Sequence, residues 1–340
     1  MKLTSCVHYF FDQYLPRIKG CSPNTIKGYR DVFSLFLPFA RDTLATPINS
    51  LQVEQLTPEL VVDFLGWLEK ERENSARTRN HRLAAIQSLA KMILYMYPEK
   101  RDIALRIQSI PKKRYHRNII GFLYQEEILA VLDSVNLSST QGFRDYAILN
   151  LLVDSGARAS EVATLDLDFL DLQQKTLAIL GKGGRFRMIT LWPKTTDLLC
   201  QYVEKHRTAP HTLYRNRLFL NQRGKEFTRH GIYRICRKYL EKVLPEKRLK
   251  DLNPAHSFRH ACAVNMLLAG HPISDIKNRL GHDSIKSTMV YLHLDLAHRQ
   301  GIQKRFITHT QSLRNKEDEI EERCMWVSEE ECFCWGVRGC

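Results

Sequence analysis

The sequence lacks any apolar run approaching the roughly 18 residues that a membrane-spanning helix needs. The N-terminus also lacks the successive basic, apolar and small-residue blocks of a signal peptide. Nine cysteines are present, but none are paired as Cys-x-x-Cys, the spacing typical of zinc knuckles. These absences argue against a membrane span and a secreted disulfide scaffold, and they predict a cytoplasmic protein with reduced thiols.

The placement of the cysteines agrees with that interpretation. Five lie in apolar or helical contexts typical of buried thiols: Cys6, Cys21, Cys200, Cys236 and Cys262. The other four crowd the C-terminal tail: Cys324, Cys332, Cys334 and Cys340. Zinc binding by this tail is an alternative, while its acidic run predicts a short helix or disorder.

Basic residues are in excess, with 51 Lys and Arg against 37 Asp and Glu and a net charge of +14. Residues 311–340 hold four basic and eight acidic residues, so this tail carries −4 and residues 1–310 carry +18. Such an excess suits a polyanion, most simply nucleic acid. A ribosomal or membrane-surface protein would also fit, so charge indicates a class only.

Residues 5–108 have the pattern of a helical domain. Ser22-Pro23, Thr57-Pro58 and Ser75 are typical helix starts, each followed by apolar residues at helical spacing. The third of these helices carries three arginines in its first two turns: Arg77, Arg79 and Arg82. We interpret them as contacts to a DNA backbone, and a solvated helix face is the alternative.

A basic linker and a strand pair follow. Residues 109–120 lack periodicity and carry four further cations expected to lie against phosphates: Lys112, Lys113, Arg114 and Arg117. Two predicted strands, residues 176–180 and 187–191, are joined by a glycine-rich turn that contains Lys182 and Arg185. Helical patterns then resume to about residue 306.

Several motifs from residue 156 onward could act on a phosphodiester: Gly156-Ala157-Arg158-Ala159-Ser160-Glu161, Gly181-Lys182-Gly183-Gly184-Arg185, His256-Ser257-Phe258-Arg259-His260, Leu280-Gly281-His282 and Tyr291. Guanidinium forks such as Arg158 and Arg259 bind phosphate oxygens bidentately and stabilise the charge that gathers in the transition state. Glu161 could orient Arg158, and a surface ion pair between the two is the alternative. A phenol is a weak nucleophile that needs such positive charge and a proton acceptor nearby.

The segment around Tyr291 predicts a helix that starts at Asp283 or Ser284. Ile285, Met289 and Leu292 would then form its apolar stripe, with Tyr291 about 100° away from Leu292 on the polar face. A tyrosine that only filled the core should lie on the stripe. Packing at an interface is the alternative to a nucleophile.

The remaining motif residues each have a plainer interpretation. His256 and His260 have the spacing of a zinc pair, but the glutamate of a metalloprotease motif is missing and no carboxylate follows closely. His282 could donate to a phosphate oxygen or be a solvated turn residue. Lys182 could protonate a leaving 5′ oxygen or be an ordinary hairpin residue.

The order Arg158, Lys182, His256, Arg259, His282 and Tyr291, with its spacing, resembles the tyrosine recombinases of the phage-integrase and Xer type. The resemblance runs from about residue 5 to residue 300. It implies that Tyr291 is the nucleophile, Arg158 and Arg259 the phosphate clamps, and His256 the acid/base partner of the tyrosine. It also implies that neither a metal nor ATP is required, and it leaves His260 as a structural residue.

The same resemblance implies a mainly α fold with a small antiparallel sheet, arranged as a two-lobed clamp on duplex DNA. The expected organisation is a helical core-binding domain at 1–110, the linker at 111–120, an α+β catalytic domain at 121–310 and a tail at 311–340. Arg185 joins the expected DNA contacts. Four copies would assemble on two sites, and the short sequence before the first lobe suggests a simple Xer-like or transposon-type enzyme without an arm-binding domain.

Two rival functions stay open at this point. A type IB topoisomerase uses similar chemistry on one duplex, although the two-lobed layout argues against it. A DNA-binding relative that has lost catalysis is the other, and the intact set of six residues argues against that one.

Overall fold

A computed structural model describes residues 1–115 and 121–292, and the chain divides into two compact units, Met1–Asn118 and Ile119–Cys340. Residues 116–120 and 293–340, including Arg117 and the expected acidic tail, lie outside the described residues. No helix in the described part is long and apolar enough to span a membrane.

The first unit is helical. Its α-helices are α1 (Leu3–Tyr9), α2 (Pro23–Leu44), α3 (Pro58–Lys70), α4 (Ala76–Met96) and α5 (Arg101–Gln108), and α1 continues into a π-helical segment, Phe10–Ile18. The predicted starts of α2, α3 and α4 are confirmed, because the hydroxyls of Ser22, Thr57 and Ser75 accept hydrogen bonds from the first turn of each helix. Aromatic rings such as Phe36 and Phe64, with centroids 5.1 Å apart, fill the core.

The second unit combines further helices with a sheet. Its α-helices are α6 (Gln125–Asp133), α7 (Thr140–Ser155), α8 (Ala159–Ala163), α9 (Pro193–Gln201), α10 (Arg229–Val243), α11 (Glu246–Leu249), α12 (Pro254–Leu268) and α13 (Ile273–Leu280). Helix α12 packs on α7, and Phe258 and Ala261 on α12 are fully buried in the main core. This burial sets which face of α12 carries the polar residues of the motif.

The sheet has three antiparallel strands in the order β1 (Leu170–Asp171), β2 (Thr176–Leu180) and β3 (Phe186–Thr190). The predicted strand pair is confirmed to within one residue, and the two-residue β1 was missed. Leu177 pairs with Ile189 and Ile179 pairs with Arg187, so these four side chains share the inner face. The structure is therefore mainly α with a small antiparallel sheet, as expected.

The segment after α13 departs from the prediction. Two short 3₁₀ turns, Ile285–Ser287 and Met289–Tyr291, replace the expected α-helix, although Ser284 caps the first of them. Tyr291 is 1% exposed, whereas Met289 is 47% exposed. The predicted stripe was wrong because the backbone here does not keep the α-helical period, so the tyrosine rather than the stripe faces inward.

Candidate functional site

Arg158 is fixed by the turn between α7 and α8. Helix α7 ends at Gly156 with a left-handed φ of 60°, and a Cβ there would lie 2.5 Å from Leu280 Cδ2. Only glycine fits such a turn without strain. Glu161 then accepts hydrogen bonds from the Arg158 backbone N–H at 2.9 Å and from Nη1 at 2.7 Å. Glu161 does orient Arg158, as predicted, and the Arg158 side chain remains one-third exposed, at 33%.

Arg187 on β3 shares the same carboxylate. Its Nη2 donates to Glu161 Oε2 at 2.7 Å, and its Nε donates to the Arg279 carbonyl oxygen at 2.9 Å. Burial alone would raise the pKa of Glu161, but the hydrogen bonds from Arg187 and Arg158 hold it below its usual value. Glu161 is therefore an ionised link between two arginines.

Arg259 lies on α12 and is buried, with 3% exposure. Its Nη1 donates to the Gly156 carbonyl and its Nη2 to the Leu280 carbonyl, both at 2.7 Å. Burial, with the nearby charge of Arg158, lowers the pKa of Arg259 to about 10, which keeps the group protonated at neutral pH. The two hydrogen bonds to carbonyls hold the buried guanidinium in a fixed position. They use two of its five N–H groups, so the others can donate to a ligand.

Tyr291 is buried beside α12. Its Oη lies 2.8 Å from Nδ1 of His260, with ring centroids 5.6 Å apart. Burial raises the pKa of Tyr291 to about 12, while the charges of Arg259 and Arg158 act in the opposite direction. The phenol is thus protonated, and it lies within electrostatic reach of both arginines.

His256 precedes His260 by one turn of α12, and the two rings stack with centroids 6.1 Å apart. Desolvation and the charges of Arg259 and Arg158 lower the pKa of His256. The side chain lines a cavity of about 670 Å³ together with Arg158, Arg229 and Tyr233. His256 therefore faces open space next to Arg158, and it is His260 that contacts the phenol.

His282 follows Gly281, which ends α13 with a left-handed φ of 64°, as predicted. Its Nδ1 lies 2.8 Å from Thr288 Oγ1. Burial and the charges of Arg259, Arg158 and Arg187 lower the pKa of His282 to about 4, so the ring is neutral at neutral pH. The structure thus brings His282 into the same electrostatic field as the two predicted clamps.

The turn between β2 and β3 is less informative. Lys182 begins a short 3₁₀ turn, Lys182–Gly184, but its side chain falls outside what the structure describes, so its role stays a prediction. Arg185 is exposed and lines a cavity of about 350 Å³ that also contains Arg187, Lys277 and His282. A basic opening therefore adjoins His282.

In the first unit, the predicted DNA contacts separate into two sets. Arg77, Lys112, Lys113 and Arg114 line one groove of about 860 Å³ with His81 and Tyr115. Asn80 on α4 holds the linker there, because its amide donates to the Lys113 carbonyl at 2.7 Å and accepts from the Lys113 N–H at 2.9 Å.

The other two arginines, Arg79 and Arg82, lie away from the groove, although Lys113 in the groove shares Glu69 with Arg79, at 2.8 Å. Arg79 is 3.6 Å from Glu69 and its side chain is 13% exposed. Arg82 has Nε and Nη1 buried without a hydrogen-bond partner among the described residues, and burial lowers its pKa. Neither side chain lines the groove.

Sequence reasoning missed three residues of these sites: His260 as the partner of the phenol, Arg187 and Asn80. Arg187 had a signal, since it lies two residues before buried Ile189 on the inner face of a strand. An arginine at such a position needs a buried carboxylate. The contacts of His260 and Asn80 depend on segments distant in sequence, for which no local pattern exists.

Comparison with known proteins gives matches along most of the chain. Residues 121–298 match the model of the phage integrase family, and residues 10–94 match the phage integrase N-terminal SAM-like domain. The putative integrase/recombinase y4rC of Sinorhizobium fredii is 32% identical over 299 residues, covering 87% of this chain and 89% of that protein. Tyrosine recombinase XerC of Chlamydia muridarum is 30% identical over 302 residues, covering 85% and 93%.

Solved structures agree in fold. XerH site-specific recombinase bound to palindromic difH substrate superposes with a TM-score of 0.64 at 19% identity, covering 89% of this chain and 88% of that one. The Tn1549 transposon integrase in complex with circular intermediate DNA also gives a TM-score of 0.64, at 17% identity, covering 84% and 94%.

The fold, the tyrosine with its arginines and histidines, and these matches define a class of protein, the tyrosine recombinases. Within that class the chain belongs to the phage integrase family.

Proposed function

We propose that this protein cuts and rejoins duplex DNA at specific sites through a 3′-phosphotyrosyl intermediate formed by Tyr291. The observation that carries the proposal is the environment of one phenol: His260 from α12 contacts Tyr291, and the charges of Arg158 from the α7–α8 turn and of Arg259 from α12 act on its pKa. Both guanidinium charges favour the phenolate, which is the form that attacks phosphorus.

Arg158 and Arg259 bind the non-bridging oxygens of the scissile phosphate in this mechanism. Charge on those oxygens grows as the tyrosine attacks, so rigid donors stabilise the transition state more than the ground state. The hydrogen bonds from Arg158 to Glu161 and from Arg259 to two carbonyls support this role, because they hold the donors in position before DNA binds.

His282 donates to a phosphate oxygen, and Lys182 protonates the leaving 5′ oxygen as a general acid. His256, expected from the resemblance to be the acid/base partner of the tyrosine, faces the cavity beside Arg158. A neutral His282 supports its part, since one ring nitrogen can donate while the other is held by Thr288. After cleavage a 5′-hydroxyl from the partner duplex attacks the phosphotyrosine. The bond energy is kept in the covalent link, so the reaction needs neither ATP nor a metal.

Binding of the duplex involves both units. The groove of the first unit, with Arg77, Lys112, Lys113 and Arg114, contacts the phosphate backbone, and Arg185 contributes from the second. Relatives of similar fold include recombinases in complex with DNA. In our proposal four copies assemble on two sites in the cytoplasm.

The test is formation of a covalent protein–DNA adduct. A nicked duplex library with a randomised central segment is incubated with the full chain, denatured in SDS and separated, and the DNA bound covalently to protein is sequenced. We expect adducts enriched in one sequence, which survive EDTA. Loss of the adduct in EDTA with recovery on adding zinc or magnesium would contradict the mechanism.

Tyr291→Phe is the matched control, since it removes one oxygen. We expect it to bind the selected DNA as the unaltered protein does and to form no adduct. An adduct in this variant would assign the nucleophile elsewhere.

A second assay separates the proposed function from its two rivals. A recombinase exchanges strands between two sites, whereas a topoisomerase relaxes a supercoiled plasmid without exchange. Absence of any adduct would indicate a DNA-binding protein without catalysis.

A further inference from the structure

The phenol of Tyr291 has one imidazole within hydrogen-bonding distance among the described residues. Nδ1 of His260 is 2.8 Å from Tyr291 Oη, a normal hydrogen-bond length. His256 is held away from this contact because it lies one turn earlier on α12, where its ring stacks on His260 and lines the open cavity beside Arg158.

The surroundings of His260 keep it neutral. Its burial, followed by the charges of His256, Arg259 and His282, lowers the pKa of His260 to about 4. These groups face the imidazole from α12 and from the turn after α13, and Tyr291 faces it from the last 3₁₀ turn. A neutral imidazole has one nitrogen free to accept a hydrogen bond. The tautomer of His260 with its hydrogen on Nε2 is the one that can accept the Tyr291 hydroxyl at Nδ1.

We propose that His260 is a catalytic residue that takes the proton of Tyr291 during cleavage and returns it during rejoining. This inference rests on the proposed function. In cleavage the O–H bond of Tyr291 breaks, its proton moves to His260 Nδ1, and the oxygen bonds to phosphorus. The P–O5′ bond breaks, and the 5′ oxygen takes a proton from Lys182. Rejoining reverses each transfer.

The proton moves together with the attack. The phenol has a pKa of about 12 and the imidazole about 4, so transfer before attack is strongly unfavourable. Two changes on binding DNA reduce the difference between the pKa of Tyr291 and the pKa of His260. A phosphate beside Arg259 offsets the positive charge that disfavours imidazolium, and the phenolic oxygen becomes more acidic as its bond to phosphorus forms. The resting site therefore holds the nucleophile protonated until a phosphate arrives.

His260→Asn separates base catalysis from positioning. The amide oxygen can accept a hydrogen bond where Nδ1 does, but it takes no proton. We expect cleavage of the selected DNA to fall about 10²-fold or more near neutral pH, since general bases contribute that much. The rate of the variant should rise with pH, because only phenolate reacts. His271→Asn, an exposed histidine of the same unit, is the matched control.

A substrate with sulfur in place of the bridging 5′ oxygen locates the defect. A thiolate leaves without being protonated, so this DNA should restore cleavage by variants that lack the general acid. We expect the defect of His260→Asn to persist on it, because attack still needs a base. Restored cleavage would put His260 on the side of the leaving group and overturn the proposal, and so would an unaltered rate and pH profile on ordinary DNA.

Failure of the inference and failure of the proposed function are distinct results. If the unaltered protein forms no adduct, both the proposed function and the role of His260 are contradicted. If the unaltered chain and His260→Asn form adducts equally well, only the role of His260 is contradicted. If His260→Asn does not fold, ¹⁵N NMR of the unaltered chain tests the same contact. We expect the hydrogen on Nε2 and a shift of the Nδ1 signal on Tyr291→Phe, and a hydrogen on Nδ1 would contradict the proposal.

Discussion

The two units use positive charge in opposite ways. In the first unit the groove cations Arg77, Lys112 and Arg114 are exposed on one helix and one extended segment. In the second unit Arg259 is almost fully buried and Arg158 is tied to a buried carboxylate. Exposed flexible cations provide affinity by releasing counterions, whereas buried fixed ones stabilise charge at a single point.

That contrast explains why the second site needs so much supporting structure. A buried guanidinium loses its water and must find fixed partners, which here are two backbone carbonyls. Exposed cations need none. Substitutions in the two regions should therefore separate chemistry from binding.

Arg158→Ala should give the largest difference between the loss of cleavage and the loss of DNA affinity. We expect cleavage of bound DNA to fall about 10²–10³-fold, as for loss of one oxyanion donor, with a much smaller change in affinity. Adduct formation under single-turnover conditions and equilibrium binding measure the two quantities. Equal losses would mean that Arg158 only holds DNA, which would remove the distinction between the units.

Arg187→Gln tests whether the Glu161 link positions the site. It loses the ion pair behind Arg158, so we expect cleavage to fall roughly 10-fold through misplacement while affinity is kept. Arg185→Gln, two residues away and exposed, is the control: it should weaken DNA affinity and leave cleavage of bound DNA unchanged. Arg187→Lys should recover part of the rate. A loss of thermal stability with no loss of cleavage in folded protein would make Arg187 a purely structural residue.

Substitutions in the first groove should have smaller effects, confined to binding. Arg77→Ala and Lys112→Ala should each weaken affinity and reduce the slope of log affinity against log salt by about 1, without changing cleavage of bound DNA. Arg41→Ala, an exposed arginine outside the groove, is the control. An unchanged salt slope in the groove variants would show that DNA does not contact this surface.

Acid should lower the stability of the second unit more than that of the first, and this is the smallest of the expected differences. The folded-state pKa of His260 and of His282 is about 4, below the ordinary 6.5, so unfolded chains bind more protons between those values. Stability of the second unit is therefore present above about pH 6.5 and declines as pH falls toward 4. Hydrogen exchange at about pH 7.5 and about pH 5, corrected for intrinsic rates, measures this for each unit. Equal losses in the first unit, where His8 and His81 are exposed, would contradict the assignment.

Local patterns carried much of the fold. Caps at Ser22, Thr57 and Ser75 and the alternation in β2 depend on neighbouring residues only, so they were readable in sequence. The turn around Tyr291 was not, because its geometry depends on burial against α12 rather than on its own spacing. A periodic pattern was present there, and tertiary packing overrode it.

The sequence by itself determined the helical starts, the strand pair, the excess of positive charge and the order of the six motif residues, since each is a local or summed property. Tertiary structure alone decided which imidazole contacts the phenol, that Glu161 also binds Arg187, and that Arg79 pairs with Glu69. Those contacts join residues between 10 and 31 positions apart. Burying a charged or polar group without a partner costs free energy, so the packed chain favours arrangements in which such groups meet. The sequence alone does not show which of several arginines or histidines makes each contact.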